Sequence, residues 1–275
     1  MSFNTLGLSS ELKKAIEDKG YNYPSDIQLQ AIPSIIKGND IMARAQTGTG
    51  KTAAFALPIL QKFQKDESKK RRVRALVLVP TRELASQVGD SFRSYGNNLR
   101  FRTSTIYGGV SINTQIDKLR KGVDIVVATP GRLLDHLDRK TLDLSELEVF
   151  VLDEADRMLD MGFIRDIKKI LTYLPKKKQN LLFSATFPKE IKALADSLLN
   201  SPKRIEVASN NSTVDKVTQV VYPVDKARKR ELLAYCIKEE NWFQVLVFSR
   251  TKHGANKLAV QLNKEGIDAD AFHGN

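Results

Sequence analysis

The stretch that could carry chemistry most directly is Ala45–Thr52, with the sequence AQTGTGKT. Its last five residues match the end of the phosphate-loop pattern G-x-x-x-x-G-K-[ST], although the first glycine of that pattern is Ala45 here. Small residues let the backbone close around phosphate oxygens, so that N–H groups and a helix N-terminus point at the anion. Lys51 would add a charge at the β- and γ-phosphates, and the Thr52 hydroxyl would help hold Mg²⁺. A glycine-rich turn can also be purely structural.

A second stretch with chemical potential is Val149–Asp156, with the sequence VFVLDEAD. Its apolar residues predict a strand that delivers Asp153 and Glu154 to its carboxyl end, where a phosphate loop from a neighbouring strand would also open. One carboxylate there can hold Mg²⁺, and the adjacent one can orient or deprotonate an attacking water. Acidic residues after a strand are common in loops. Paired with Lys51 and Thr52, they supply the two halves of a phosphoryl-transfer site.

The elements that must position these residues follow a regular rhythm. Helices are predicted after the capping residues Ser9 and Ser25, and Ala53–Phe63 has helical length. Strands are predicted at Ile41–Ala43, Ala75–Val79, Thr103–Tyr107, Asp124–Ala128, Val149–Leu152, Asn180–Ser184 and Arg204–Val207. Apolar strands that alternate with helices indicate a parallel sheet covered on both faces, which is a doubly wound α/β domain. Ligands of such domains bind at the carboxyl ends of the strands.

A polar segment divides the chain. Residues 208–215 have no apolar periodicity and predict a linker. The predicted organisation is a first domain over residues 1–208, a linker over 209–215 and a partial second α/β domain over 216–275. In that last segment strands are predicted at 217–221, 245–248 and 269–272, and helices at 228–238 and 252–264. A segment of about 60 residues buries only a limited core, so it is interpreted as the first half of a domain.

Composition narrows the class of protein. The 275 residues are 41% apolar and 28% charged, which is typical of a globular protein with a core. No apolar run has the length of a membrane span and the N-terminus lacks signal-peptide features, so a cytoplasmic location is expected. The one cysteine, Cys236, excludes an intrachain disulfide. The scattered histidines His136, His253 and His273 are interpreted as surface or packing residues.

The charge of the chain favours polyanionic partners. The formal net charge is +12, and residues 209–275 contribute only +2 of it, from ten basic and eight acidic side chains. The excess therefore lies in residues 1–208, where it favours nucleic acid. Solubility alone is the other explanation, and the runs Lys69–Arg72 and Lys176–Lys178 are interpreted as solvated loops.

Taken in order, the motifs resemble the DEAD-box family of ATP-dependent RNA helicases. The resemblance rests on Gly20-Tyr21 with PSDIQ at Pro24–Gln28, AQTGTGKT, PTREL at Pro80–Leu84, Gly108-Gly109, TPGR at Thr129–Arg132, DEAD at Asp153–Asp156, SAT at Ser184–Thr186, VLVFSRT at Val245–Thr251 and FHG at Phe272–Gly274. In this family Ala45 is the normal residue. The wordings GGVSIN, DEADRMLDMGF and RTKHGAN look most like the bacterial RhlE subgroup. The resemblance implies two RecA-like domains of the P-loop NTPase type, the second one incomplete here.

The resemblance implies ATP and Mg²⁺ as cofactors. The implied ATP-binding residues are Phe3, Tyr21, Gln28, Ala45, Gln46, Thr47, Gly48, Thr49, Gly50, Lys51 and Thr52. Glu154, Lys51 and Asp153 are the implied catalytic residues, and Thr52 and Asp153 the implied Mg²⁺ ligands. The Gln28 amide, with one acceptor and two donors, can pair with the edge of adenine. Phe3 could stack on a base. Alternatively, Gln28 lies on an exposed helix face and Phe3 fills the edge of the core.

RNA is the implied partner, bound through its backbone with little sequence specificity. The implied RNA-binding residues are Pro80, Thr81, Arg82, Gly108, Gly109, Thr129, Pro130, Gly131, Arg132 and Arg250. The implied coupling residues are Ser184, Ala185, Thr186 and Asp156, with Ser184 and Thr186 expected to bond to Asp156 or to cap a strand. Ribosomal or degradosome-type RNA-processing proteins are further implied partners.

Two other functions remain open at this point. The chain could belong to a DNA translocase of a related P-loop class, or act as a non-catalytic RNA-binding fragment. Full family members carry γ-phosphate-contacting arginines in motifs that follow FHG, and such an arginine contributes roughly 10³–10⁵ in rate. Since those motifs are missing here, the 275 residues are expected to bind nucleotide, to hydrolyse ATP very slowly and not to unwind duplexes.

Overall fold

The computed structural model describes residues 2–46, 48–64, 71–207, 218 and 220–273. The chain divides into two units, residues 1–210 and 211–275, and the division falls inside the predicted linker. That linker itself, the residue Thr47 and part of the predicted strand 217–221 lie outside the described residues, as does Gly274.

The first unit contains a seven-stranded sheet with helices on both sides. Its strands are β1 (Ile41–Arg44), β2 (Ala75–Leu78), β3 (Thr103–Ile106), β4 (Ile125–Ala128), β5 (Val149–Leu152), β6 (Gln179–Ser184) and β7 (Lys203–Glu206). The helices are α1 (Ser10–Asp18), α2 (Asp26–Ile36), α3 (Lys51–Phe63), α4 (Arg82–Tyr95), α5 (Ile112–Arg120), α6 (Pro130–Asp138), α7 (Ala155–Asp160), α8 (Ile164–Thr172) and α9 (Lys189–Leu198), and a 3-10 turn spans Phe3–Thr5. All seven predicted strands and the predicted helices of this unit are present, so the doubly wound α/β class is confirmed.

The strand order is β3-β4-β2-β5-β6-β1-β7, and every neighbouring pair is parallel. Parallel strands bury both faces, which explains why β2, β4, β5 and β6 have no exposed residue. Successive residues of a strand point to opposite faces. On β5, for example, Val151 joins the core beneath α1 to α4, whereas Phe150 joins the core beneath α5 to α9.

The strand order corrects one detail of the sequence-based expectation. β1, which carries the phosphate loop, is not a neighbour of β5, which carries Asp153 and Glu154, because β6 lies between them. Adjacent strands are about 4.8 Å apart, so the two halves of the predicted site start about 10 Å apart. The long Lys51 side chain spans that distance and brings Nζ to 3.9 Å from Asp153 Oδ1.

The second unit has the predicted helices but not the predicted strands. Its helices are α10 (Lys229–Glu239) and α11 (Lys252–Lys264), preceded by a 3-10 turn at Lys226–Arg228. Segments 245–248 and 269–272 were predicted as strands, yet the described residues of this unit form none. Phe248 is 89% exposed. A helix makes its hydrogen bonds locally, whereas a strand forms only against a partner, and these segments have no ladder partner among the described residues.

Candidate nucleotide and nucleic-acid site

The phosphate loop connects β1 to α3 at the carboxyl edge of the sheet. Ala45 is buried, and its N–H donates to the Ser184 carbonyl at 3.0 Å, so this residue still extends β1. Gly50, with φ of +88°, is the N-cap of α3, and the helix begins at Lys51. A left-handed turn immediately before a helix directs that helix's free N–H groups towards the loop. The local geometry is therefore that of an anion site.

The acid pair faces this loop. Asp153 follows β5, is buried, and has Oδ1 3.9 Å from Lys51 Nζ. Burial raises the pKa of Asp153 to about 6, against the opposing effect of the Lys51 charge. Glu154 caps α7 with φ of +54°, a left-handed conformation rare for a residue with a side chain. Arg157 Nη1 donates to Glu154 Oε2 at 3.2 Å. The site thus holds the buried Asp153, whose pKa is raised, beside Glu154, whose backbone conformation is strained.

The donor set suits Mg²⁺. The Thr52 hydroxyl and the Asp153 carboxylate are hard oxygen ligands, and a buried carboxylate with a raised pKa gains from a divalent cation. Mg²⁺ takes few protein ligands when phosphate oxygens and waters complete its octahedron. Among the described residues, no group of three or more histidine, cysteine, aspartate or glutamate side chains is arranged to hold a metal ion.

The residues predicted to couple the two sides of the site are hydrogen-bonded together. Thr186 donates to Asp156 Oδ2 through its N–H at 2.8 Å and through its hydroxyl at 2.9 Å. Ser184 Oγ accepts from the Asp156 N–H at 3.2 Å and donates to the Thr186 carbonyl at 2.7 Å. Burial alone would raise the pKa of Asp156, but hydrogen bonding, led by the bonds from Thr186, outweighs it and lowers that pKa. Ser184 therefore touches both the phosphate-loop strand and the DEAD segment; the coupling role stays a prediction.

The start of α2 is hydrogen-bonded to the phosphate loop. Gln28 is buried rather than on an exposed face: its Oε1 accepts from the Ser25 N–H at 3.0 Å, and its Nε2 donates to the Gly50 carbonyl at 3.2 Å. Ser25 Oγ donates to the Thr49 carbonyl at 2.8 Å. The approach of this amide explains the glycine at position 50, where a Cβ would collide with it. Reading an adenine edge, which stays a prediction, requires Gln28 to exchange these bonds.

A cavity of about 460 Å³ opens above these elements, a volume in the usual range for small-molecule sites. Its lining groups are Tyr21, Tyr23, Ser25 and Gln28 before the loop, Gly48 to Ala53 in the loop and α3, Leu84, Gln87, Ser91 and Tyr95 on α4, and Asp153 and Glu154. Most of the predicted ATP-binding residues are therefore brought together. Ala45 and Gln46 are at the base of the loop and do not line the cavity.

The sequence interpretation missed the wall that α4 provides. Leu84, Gln87, Ser91 and Tyr95 follow one another at spacings of three or four residues, so they lie on one face of the helix. That periodicity was visible in the sequence. It carried no indication, however, that this face borders the phosphate loop, because only the placement of β2 in the sheet decides that.

Phe3 does not lie in this cavity. The residue is 6% exposed and packs in the core beneath α1 to α4. In this conformation the ring fills the edge of the core, as the alternative interpretation has it, and stacking on a base stays a prediction. Three tyrosines line the cavity instead: Tyr21, the 80% exposed Tyr23 and the buried Tyr95.

The predicted RNA-binding loops follow the neighbouring strands β3, β4 and β2. Gly108 and Gly109 follow β3 and are exposed, with Gly109 at φ of +81°. Thr81 caps α4 by accepting from the Leu84 N–H at 3.2 Å, and the next side chain, Arg82, is 56% exposed. Thr129 and Gly131 begin α6 after β4. Because parallel strands end at one edge, these loops form one surface, beside the nucleotide cavity.

Three predicted RNA-binding residues are less available than expected. Pro80 and Pro130 are buried. The Arg132 side chain is only 14% exposed, and its Nη1 donates to the Val110 carbonyl at 3.0 Å. The two prolines stand at element ends, Pro80 after β2 and Pro130 at the first turn of α6. The Arg132 guanidinium is bonded to the loop backbone in this conformation. Arg250, exposed, lies in the second unit.

Comparison with known proteins agrees with this geometry. The family model described as DEAD/DEAH box helicase matches residues 25–194. The chain is 42% identical over 273 residues to the DEAD-box ATP-dependent RNA helicase RhpA of Helicobacter pylori, covering 99% of this chain and 55% of that protein. It is 43% identical over 273 residues to the DEAD-box ATP-dependent RNA helicase CshA of Bacillus cereus, covering 99% of this chain and 51% of that protein. The chain thus spans about half the length of the curated relatives it matches.

A solved structure supports the fold. The crystal structure of a DEAD box protein from the hyperthermophile Methanococcus jannaschii matches with a TM-score of 0.72 and 41% sequence identity, over 100% of this chain and 73% of that one. Among the described residues, no helix combines the length and the apolar character that crossing a bilayer requires.

Proposed function

Since the chain belongs to the DEAD/DEAH box helicase family, we propose that it binds and hydrolyses ATP and uses this cycle to act on RNA as part of an ATP-dependent RNA helicase. The observation that carries the proposal is the meeting of Lys51, Asp153 and Glu154 at one cavity beside a phosphate loop. The loop before Lys51 follows β1 and the two carboxylates follow β5, which is not a neighbour of β1. A purely structural glycine turn does not require two buried carboxylates to face it.

In the proposed reaction the chain's own groups bind, orient and accept a proton. The backbone N–H groups of the loop and the α3 N-terminus hold the phosphates, and Lys51 moves its charge from Asp153 to them. Asp153 and Thr52 would hold Mg²⁺, which when bound neutralises charge that develops between the β- and γ-phosphates. Glu154 would orient the attacking water and take its proton. The hydrogen-bonded group of Asp156, Ser184 and Thr186 would transmit the nucleotide state to the RNA-binding loops.

Binding of RNA through its backbone is proposed for the loops after β2, β3 and β4. Exposed glycines and hydroxyls allow close approach to phosphates and 2′-hydroxyls, and the net charge of +12 favours a polyanion. Closure of two domains over ATP and RNA, with local strand separation, completes the proposed cycle. The RhlE-type assignment and the ribosomal or degradosome-type partners stay predictions.

The decisive experiment compares nucleic acids as activators. ATP hydrolysis by the protein is measured with single-stranded RNA and with single-stranded DNA of the same sequence, with the Lys51→Ala variant as the background. We expect RNA to stimulate hydrolysis and DNA to stimulate it much less. Stimulation by DNA alone would favour the translocase function, and binding of RNA without any nucleotide-dependent change would favour the non-catalytic one.

The expectation of slow turnover by the 275 residues is tested separately. Single-turnover hydrolysis by this chain is compared with that of the RhpA relative at saturating ATP and RNA. A much lower rate is expected for this chain, and equal rates would contradict the expectation.

A further inference from the structure

One buried amide joins the loops of the proposed RNA surface. Gln115, on α5, is 4% exposed. Its Nε2 donates to the Tyr107 carbonyl at 2.9 Å, just before Gly108. Its Oε1 is 3.1 Å from His136 Nε2 and 3.4 Å from Arg132 Nη1, both on α6. A single side chain therefore connects the end of β3 with α5 and α6.

The bond to the Tyr107 carbonyl fixes the direction of the others. Because Gln115 donates there through its nitrogen, its oxygen must face α6, so His136 Nε2 carries the proton and donates. For a neutral ring, His136 Nδ1, 2.8 Å from Thr141 Oγ1, must then accept the single hydroxyl proton of Thr141, which has the His136 carbonyl at 3.1 Å as its alternative acceptor. Burial lowers the pKa of His136, with the charge of Arg132 adding to the effect, which favours the neutral ring. Each polar atom of the Gln115 amide and of the neutral His136 ring then has a partner.

Arg132 completes the arrangement. Its Nη1 also donates to the Val110 carbonyl at 3.0 Å, while its Nε lies 3.5 Å from Asp135. The segment 107–110 is thus held at its first and last carbonyls, and Gly108 and Gly109 between them remain exposed. Two consecutive glycines lose much conformational freedom when ordered. Because both ends of the segment are already held, part of this loss of conformational entropy occurs before a ligand binds.

We propose that Gln115, together with His136 on which it rests, is a positioning residue that fixes the Gly108-Gly109 loop in the conformation that binds an RNA backbone. The inference rests on the proposed RNA function and deepens it. Gln115 lies outside every motif that identified the family in the sequence. It acts through main-chain carbonyls, so its loss weakens RNA binding without removing any contact to phosphate.

Two substitutions at Gln115 separate its bonds. Gln115→Met has a similar length and removes both the donor and the acceptor, and we expect the affinity for single-stranded RNA to fall about tenfold. Gln115→Glu keeps an acceptor for His136 and Arg132 but sets a carboxylate oxygen against the Tyr107 carbonyl, so a loss at least as large is expected if that bond holds the loop. Nucleotide affinity should be unchanged in both, because Gln115 does not line the nucleotide cavity.

The dependence of binding on salt separates positioning from direct contact. Since Gln115→Met removes no cation, the slope of log K against log salt should equal that of the wild type. A slope reduced by about 0.7 would indicate one lost phosphate contact and would overturn the proposal. Rescue is tested at His136: His136→Gln keeps an N–H donor at similar reach and should bind RNA nearly as the wild type does, whereas His136→Phe should lose affinity like Gln115→Met.

A matched control removes general destabilisation as an explanation. Leu119 is a buried apolar residue on the same helix, and Leu119→Ala weakens the packing of α5 without touching the network. If Leu119→Ala lowers RNA affinity as much as Gln115→Met does, the role of Gln115 is only structural. Wild-type-like RNA affinity in Gln115→Met would also overturn the inference, while absence of RNA binding by the wild type would overturn the proposed function instead.

A measurement on the unmodified protein covers the case in which the Met variant does not fold. Nitrogen chemical shifts of the His136 ring should show the neutral form protonated at Nε2. A ring protonated at Nδ1 would reverse the donor direction towards Gln115 and contradict the network.

Discussion

The phosphate loop and the Gly108-Gly109 loop lie over the same edge of one sheet, but they are prepared for their ligands in different ways. Beneath the phosphate loop, Asp153 is buried with a raised pKa, its nearest cation is 3.9 Å away, and Glu154 has a left-handed backbone. Beneath the glycine loop, the amide of Gln115 has partners on both sides, and the guanidinium of Arg132 is bonded to the loop. The carboxylate of Asp153 beneath the phosphate loop is only weakly paired, whereas the polar side chains beneath the glycine loop are hydrogen-bonded.

The difference follows from what each region is proposed to bind. A site for a triphosphate and a metal ion needs charges that are poised to change partners, and in the free protein such charges cost stability. A site that presents backbone to another backbone needs only a fixed shape, which a complete hydrogen-bond network supplies. Substitutions in the first region should therefore affect chemistry and charge, and those in the second affect fit.

The largest effect is expected at Glu154. Glu154→Gln keeps the shape of the side chain but removes the base, so hydrolysis should fall by about 10²–10⁴ while ATP binding is retained. Single-turnover hydrolysis and nucleotide titration measure the two quantities. Arg157→Ala, which removes only the partner of Glu154, serves as the control and should retain most activity. Full activity in Glu154→Gln would end the assigned role.

A smaller effect is expected on binding at the phosphate loop. Lys51→Ala removes the charge proposed to meet the β- and γ-phosphates, so ATP affinity should fall by about a hundredfold. Isothermal titration with ATP and Mg²⁺ tests this. Lys62→Ala, at the opposite end of the same helix, is the matched control and should bind as the wild type does. Equal affinities for the two variants would contradict the site.

The pKa is raised at Asp153 and lowered at Asp156, so the two residues should make the free energy of unfolding depend on pH in opposite ways. Because the folded pKa of Asp153 is raised to about 6 from 3.8, its contribution to stability is present below pH 4 and lost as the pH rises through 6. Asp153→Asn should therefore be more stable than the wild type above pH 6, by up to about 3 kcal/mol, and the difference should vanish near pH 4. Urea unfolding across this pH range measures it.

Asp156→Asn is the paired variant and should behave in the opposite way. The pKa of Asp156 is lowered, so its stabilising contribution is present above pH 4 and is lost as the pH falls through the folded value. This variant should be less stable than the wild type at neutral pH and approach it in acid. If both variants shifted stability in the same direction, the contrast between the two carboxylates would be wrong.

The smallest effect is expected at the exposed arginine of the RNA surface. Arg82→Ala should weaken binding of single-stranded RNA by roughly threefold, alike for different sequences, and reduce the salt slope by about 0.7. Filter binding at several salt concentrations tests both. Arg93→Ala, on the same helix with similar exposure, is the control. A loss confined to one RNA sequence would contradict recognition of the backbone.

Sequence reasoning succeeded where the information is local. Strand alternation, helix caps such as Ser9 and the glycine-rich loop all depend on neighbouring residues, and each is present in the structure. Sequence reasoning failed where the structure of a segment depends on a partner that is distant in the sequence. Segments 245–248 and 269–272 are apolar enough for strands but have no ladder partner among the described residues. The burial of Phe3 also depends on its surroundings, here α1 to α4, and could not be derived from its own segment.

The fold class and the identity of the reactive groups could be derived from the order of residues, because periodicity and motif spacing are properties of that order. Only the tertiary structure decided that β6 separates the phosphate loop from the acid pair, that α4 forms a wall of the cavity, and that Gln28 and Arg132 are engaged with loop carbonyls. These facts depend on which strand lies beside which. The order of strands in a parallel sheet is set by how all the crossover helices pack together, and no single segment encodes it.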